Sequence, residues 1–296
     1  MDMTQNKCCR HGASLRRRRR RPRKILRFII FSCSIIAVAV GNRMIRSGDG
    51  RTNKYDVEAG NNTYDNAVIE NSKIYEKNKI QNNQSMLDDI MNSTQYPKQL
   101  KDLALKNEEA LEFVYDYPAE HVKEHTIDLT EEASMDSVPL FVQWDKRWGY
   151  EKYSGNFFAA SGCGPTTLSM VVVYLTHDRE ASPIAVAKYS KEAGYSVDGS
   201  GSSWTLISEG CMHYGVKAKA VALDESRMKA ELDEGHPIVV NVGPGDFTDT
   251  GHFMVITGYD DEGFSINDPN SIEKSGKRWL FKNISSQIRA VWSMYV

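Results

Sequence analysis

Between residues 138 and 296 the hydrophobic pattern changes period once, and that order limits the fold more than any other feature of the chain. Residues 161–176 place Leu168, Met170, Val171, Val172, Tyr174 and Leu175 on a largely buried helical face. Pro165 falls in its first turn, where a missing N–H costs nothing. Residues 183–193 and 204–214 read as further helices, each followed by a glycine stop. Residues 237–242, 252–259, 264–267 and 289–295 then read as strands, with 258–263 as a turn. Helices first and strands mostly later predict an α+β domain, a helix packed on an antiparallel sheet.

The rest of the chain is organised by charge. Residues 1–46 hold 13 Lys and Arg against one acid, Asp2, which leaves 24 basic and 38 acidic residues in 47–296. A body with that surplus of acid does not suit nucleic acid, whose phosphates need a basic face. The basic block 1–27 runs into an uncharged stretch, Phe28 to Val40, closed by Gly41-Asn42-Arg43. About 13 apolar residues is short for a spanning helix and suits the core of a secretory signal. Ala37-Val38-Ala39 supplies a cleavage-like site, and an extension through Met44-Ile45 would make 28–45 a short anchor instead. Either way the expectation is a cytoplasmic basic segment and an exported remainder, at the membrane or secreted. Residues 46–95 are rich in Asn, Asp, Ser and Lys and read as a disordered linker, with Ala67–Ile80 a transient helix at most. Residues 96–118 regain helical spacing and lead an N-terminal extension, 96–137, that packs on the main domain.

Cys163 stands in Ser161-Gly162-Cys163-Gly164-Pro165-Thr166-Thr167. Flanking glycines admit close approach to the sulfur, and a helix start favours the thiolate, the nucleophilic form. Of seven histidines, His252 alone opens an apolar strand directly behind a glycine-rich loop, where it can face a nucleophile. Asp268, in Ile266-Asn267-Asp268-Pro269, ends the next strand and is placed to orient the ring; Asn267 is the alternative orienter. Gln143 is the side-chain candidate for stabilising an oxyanion, with the Cys163 backbone N–H beside it. A Cys163–Cys211 disulfide is a further option in an oxidising compartment. No metal-ligand spacing is present, and the reading calls for no cofactor.

The segments VPLFVQWDKRWG, SGCGPTTLSMV, GPGDFTDTGHFMVITGYD and NDPNS together resemble the C39-like peptidases, papain-fold cysteine peptidases related to those that process bacteriocins after double-glycine leaders. The resemblance covers 138–296. It implies a papain-like fold, Cys163 as nucleophile, His252 as general base, Asp268 as orienting acid and Gln143 in the oxyanion hole. One departure stands out: in the bacteriocin-processing branch the glutamine lies a few residues before the cysteine, where this chain has Phe157-Phe158-Ala159-Ala160. The expectation is thus a monomeric, exported or surface-anchored cysteine peptidase or amidase acting on a peptide or protein. Two other classes compete with it: a non-catalytic papain-fold module binding peptide or cell-wall polymer, and a transglutaminase-like acyl transferase. Residues 199–203, Trp204 and 243–250 are the expected cleft walls.

Overall fold

The computed structural model describes residues 61–296. The basic block 1–27, the apolar segment 28–45 and the first part of the linker lie outside the described residues. Among the described residues, no helix is long and apolar enough to cross a membrane.

The linker reading needs one correction. Asn61–Asn92 form α1, a helix of 32 residues, inside the stretch expected to be disordered. No Gly or Pro interrupts these residues, so nothing in them breaks a helix. Its C-terminal part is docked: Ile90 is buried, and Met86 and Leu87 pack beside it on the helices that follow. Composition weighed the apolar area of the whole stretch, whereas a helix needs only one docked end to persist.

Two short helices follow, α2 (Lys98–Lys106) and α3 (Leu111–Tyr115). Leu100, Leu103, Leu111, Phe113 and Val114 form their shared core with Phe157 and Ala159 of the main domain. The extension therefore rests against the residues that immediately precede Cys163. Phe113 also stacks on Tyr150 at 4.2 Å between ring centroids, and the Tyr150 hydroxyl donates to the Phe113 carbonyl at 2.7 Å.

The main domain is built of helices and an antiparallel sheet. Helix α4 (Cys163–Thr176) buries Leu168 and Met170 through Val173, on every side of the helix. A helix that is apolar all round must be enclosed, and α5 (Pro183–Glu192) and the sheet enclose it. His177 ends it in the left-handed region, φ 57°.

The sheet comprises β1 (Lys217–Ala220), β2 (Ile238–Val242), β3 (His252–Asp260), β4 (Gly263–Asn267), β5 (Arg278–Trp279) and β6 (Ile288–Tyr295). Its order is β1-β6-β2-β3-β4-β5, with every pairing antiparallel. All five residues of β2 are buried. Val239, Phe253 and Val255 join the core shared with α4, whereas Val240, Met254 and Ile256 join a second core with Met228 of α6 (Glu225–Asp233). Strand alternation thus gives two buried faces and leaves the strand ends to form the cleft.

The helices expected at 161–176 and 183–193 and the four expected strands are present, with ends shifted by one or two residues. Residues 204–214 form a short α turn and a 3₁₀ turn rather than one helix. Strand β1 and helix α6 have no counterpart in the sequence reading. Their apolar signal is weak: β1 is largely exposed, and α6 buries only Met228.

Candidate active site

Cys163 is the first residue of α4 and is half-buried. Its two glycine neighbours have separate steric reasons. A Cβ on Gly162 would meet the Phe158 ring at 2.6 Å, and one on Gly164 would meet Ser202 Oγ at 2.5 Å. The turn before α4 can therefore lie flat against both neighbours only without side chains at 162 and 164.

One hydrogen bond joins the cysteine helix to the histidine strand. Thr167, a turn beyond Cys163, donates its Oγ1 proton to the Phe253 carbonyl, next to His252, at 3.1 Å. On the other side, buried Asn241 donates from Nδ2 to the His252 carbonyl at 3.2 Å, and Val242 is paired with His252 in the β2–β3 ladder. The start of β3 is thereby held from two directions.

His252 Nε2 lies 2.7 Å from Asp268 Oδ1. The ring's other nitrogen, Nδ1, is left for Cys163, and the two side chains act on each other electrostatically. Burial opposes the charged imidazole, but the Asp268 carboxylate and the Cys163 sulfur outweigh it and raise His252 to about 10. Burial likewise opposes the thiolate, and the interaction with His252 reverses it, so the Cys163 thiol falls below its ordinary value. Both shifts favour one state, a thiolate–imidazolium pair.

Asp268 is fully buried, and its Oδ2 accepts no hydrogen bond from the protein. A buried carboxylate with an unpartnered oxygen is costly without a cation, and His252 is its paired cation. Oδ1 also accepts from the Asn270 N–H at 2.8 Å, and the Asp268 N–H donates to Ser275 Oγ at 2.9 Å. Asn267 is occupied elsewhere: its Nδ2 donates to the Val138 and Pro139 carbonyls. Of the two orienters open in the sequence, Asp268 is the one in contact with the ring.

Gln143 is buried and lines the same cleft as Cys163 and His252. Its N–H donates to the Pro269 carbonyl at 2.7 Å, and its Nε2 donates to the Ala159 carbonyl at 2.7 Å. The second Nε2 proton remains available to a ligand, while Oε1 is buried without a partner. The 20 residues that separate Gln143 from Cys163 in sequence are thus closed in space through Ala159.

The sequence missed the support beneath Asp268. Glu109, just before α3, accepts from the Ser271 hydroxyl and from the N–H groups of Ile272 and Glu273, at 2.7 and 3.0 Å for the latter two. It thereby caps the turn Ile272–Ser275, whose Ser275 holds the Asp268 backbone. Asn107 donates from Nδ2 to the carbonyl and side-chain oxygens of Asn270. No local pattern could reveal these contacts, since 162 to 164 positions separate most of the partners.

The other described histidines are engaged apart from the site. His177 contacts the Ala133 carbonyl, His213 stacks on Tyr189, and His121 and His125 contact the Tyr117 and Glu120 carbonyls. Cys163 and Cys211 are both free thiols, so the disulfide option is not taken. Burial raises the Cys211 thiol to about 11, which makes it the inert cysteine of the two. Glu231, Glu234 and His236 are of metal-ligand type and lie close together, but Glu231 is already engaged by Lys219 and Ser293.

The cleft has two lobes that meet at Cys163. One is walled by Gln99, Asp102, Lys106 and Asn107 of the extension and by the loop 245–251. The other is walled by 199–202, Trp204, Asn241 to Pro244 and Arg289. Gln287 ties the loop down, accepting from the Asp246 N–H at 2.7 Å and donating to Asp246 Oδ2 at 2.6 Å.

With this geometry in view, comparison with known proteins is direct. The model of the Peptidase_C39 like family matches residues 135–296. The chain belongs to that family. Similar solved structures include the peptidase domain of Streptococcus ComA, a bifunctional ABC transporter of a quorum-sensing pathway; identity is 20%, TM-score 0.36, with 46% of this chain and 90% of that one covered. Another is a protein from Bacillus anthracis described as a C39-like peptidase, at 18% identity and TM-score 0.34, covering 54% of this chain and 95% of that one. No curated protein matches the chain. Family membership makes a peptidase of it and a peptide its expected kind of substrate.

Proposed function

We propose that the domain is a papain-like cysteine peptidase or amidase in which Cys163, His252 and Asp268 act as nucleophile, base and orienting acid. The observation that carries this reading is the His252–Asp268 hydrogen bond, in a cleft that Cys163 also lines at the junction of the two lobes. In the proposed reaction the Cys163 thiolate adds to the scissile carbonyl carbon, forming a C–S bond and an oxyanion. The Cys163 N–H and the free Gln143 Nε2 proton face that developing charge. His252 gives its proton to the leaving amine as the C–N bond breaks. It then takes a proton from the water that hydrolyses the thioester, and the thiolate returns. Asp268 keeps the ring charged and aligned.

The same proposal places the domain outside the cytoplasm, with 28–45 as a cleaved signal or a retained anchor. That part rests on the basic and apolar order of the first 45 residues.

Alkylation by iodoacetamide tests the nucleophile. Cys163 is expected to react rapidly at pH values below the ordinary thiol range, while Cys211 does not, with the sites read by mass spectrometry. Substituting His252→Ala removes the imidazolium and leaves the burial penalty, so alkylation should then require higher pH than an ordinary thiol. A wild-type Cys163 that reacts no faster than an exposed cysteine would overturn the catalytic reading.

A further inference from the structure

The two lobes that meet at Cys163 differ in charge. The lobe beside the extension carries Asp102, Asp246 and Asp249 together with Lys106 and Lys274. The opposite lobe has a single charged residue in its wall, Arg289.

Arg289 is one of three described arginines, with Arg179 and Arg227, for which no ion pair with a described carboxylate is found. Residues 47–296 hold 38 acids against 24 bases. Arg147 pairs with Asp145 and Glu132, and Arg278 pairs with Asp260. Among the described residues, the Arg289 guanidinium meets no carboxylate; it donates from Nη1 to the Ser286 carbonyl at 2.8 Å. A guanidinium has five N–H donors, so most of its fork is uncommitted.

Two backbone features aim it. The β2–β6 register shifts between Ile288 and Ala290, so Arg289 is the extra residue of a bulge. Bulges turn a side chain away from the direction that regular alternation would give it. Gly243, across the ladder, has no side chain in the way: a Cβ there would lie 2.8 Å from Arg289 Nε. The guanidinium therefore lies beside the Gly243 backbone at the cleft wall, and Arg289 is exposed to solvent there. Gly199, Ser200, Gly201 and Ser202 in the same wall are small and uncharged, and Trp204 beside them is 47% exposed.

We infer that this lobe is a substrate subsite for a carboxylate, with Arg289 as its counter-ion. The inference rests on the peptidase reading, since it is the chain of a peptide bound at Cys163 that would carry the carboxylate into the lobe. Two sources share that chemistry: an Asp or Glu side chain near the scissile bond, and the terminal carboxylate of a peptide. The planar fork binds either in two parallel hydrogen bonds.

A peptide pool digested by the wild-type protein, with cut sites sequenced by mass spectrometry, tests the subsite. Cys163→Ala defines which cuts depend on the nucleophile. Cuts enriched about tenfold for Asp or Glu at one position near the bond are expected. That enrichment disappears in Arg289→Gln and turns to Lys or Arg in Arg289→Glu, a gain that a misfolded protein does not produce. Cuts confined to the last residues, and abolished by amidating the peptide terminus, assign the lobe to the terminal carboxylate instead. Cys163-dependent cuts without acidic preference, or with a preference untouched by Arg289→Glu, overturn the subsite and leave the peptidase standing. If no cut depends on Cys163, the peptidase reading fails; the ratio of Cys163 alkylation by iodoacetate to that by iodoacetamide then decides the lobe alone. An anionic preference of wild type that falls in Arg289→Gln and reverses in Arg289→Glu supports it, and equal ratios in all three proteins overturn it.

Discussion

The two walls that meet at Cys163 are built in opposite ways. The nucleophile's wall is local: Gly162, Gly164 and Pro165 flank Cys163 within two positions, and the buried helix α4 carries it. The wall of His252 and Asp268 is assembled from distant segments. Asn241 and Thr167 hold the start of β3, Asn270 and Ser275 hold Asp268, and Glu109 and Asn107 reach in from the extension. The contrast teaches that the setting of one side chain can be written in a short segment, while that of a buried His–Asp pair depends on the whole domain. Burial explains why. A carboxylate with 0% exposure and a free Oδ2 keeps its position only if its backbone and its cation are both constrained.

If the long-range wall governs reactivity, its variants should rank by distance from the ring. Asp268→Asn removes the charge that most raises His252 and should lower Cys163-dependent cleavage on the order of 10³-fold or more. It should also narrow the pH window from both sides. The alkaline limb of kcat/KM falls from about 10 because the imidazolium loses its partner. The acid limb rises because the thiolate then faces a weaker cation. A variant whose pH profile keeps its wild-type limbs would break the comparison, because Asp268 would then be a structural group only.

Gln143→Ala should act next, lowering kcat by roughly 10²-fold with little effect on the rate of Cys163 alkylation. Alkylation forms no oxyanion, so the split between the two assays separates transition-state stabilisation from thiolate formation. Equal losses in both would mean that Gln143 serves mainly to hold Ala159.

Glu109→Gln is the smallest effect and the most telling. It preserves the shape of the side chain but removes the charge from three hydrogen bonds, and should cost about tenfold in kcat/KM with the acid limb displaced upward. Thermal unfolding near that of wild type, together with the displaced limb, would establish a positioning role from outside the family-matched residues. An unchanged pH profile would confine Glu109 to tying the extension down.

Legibility followed the same division. Cys163, His252 and Asp268 stood out as candidates because each sits at a recognisable local event: a glycine-flanked helix start, a strand start behind a glycine loop, and a strand end at Asn-Asp-Pro. The helix α4 and the central strands were readable because their apolar residues follow one period. The helix α1 was read as linker because its apolar residues are sparse, and a docked end such as Ile90 has no signature without its partners. Strand β1 escaped for the same reason, being an edge strand with mostly exposed residues. The choice between Asp268 and Asn267 was open because either can orient an imidazole; packing decided it by occupying the Asn267 amide with the Val138 and Pro139 carbonyls.

By itself, then, the chain's sequence determined the class of domain and singled out Cys163 and its candidate partners, because hydrophobic period and turn chemistry are properties of neighbours in the chain. Only the tertiary structure decided which atoms touch. It turned Gln143 toward Ala159, gave Asp268 its single cation, brought Glu109 beneath it and aimed Arg289 into the opposite lobe. Those choices belong to the burial and pairing of groups far apart in the chain, and burial is settled only once the whole core has closed.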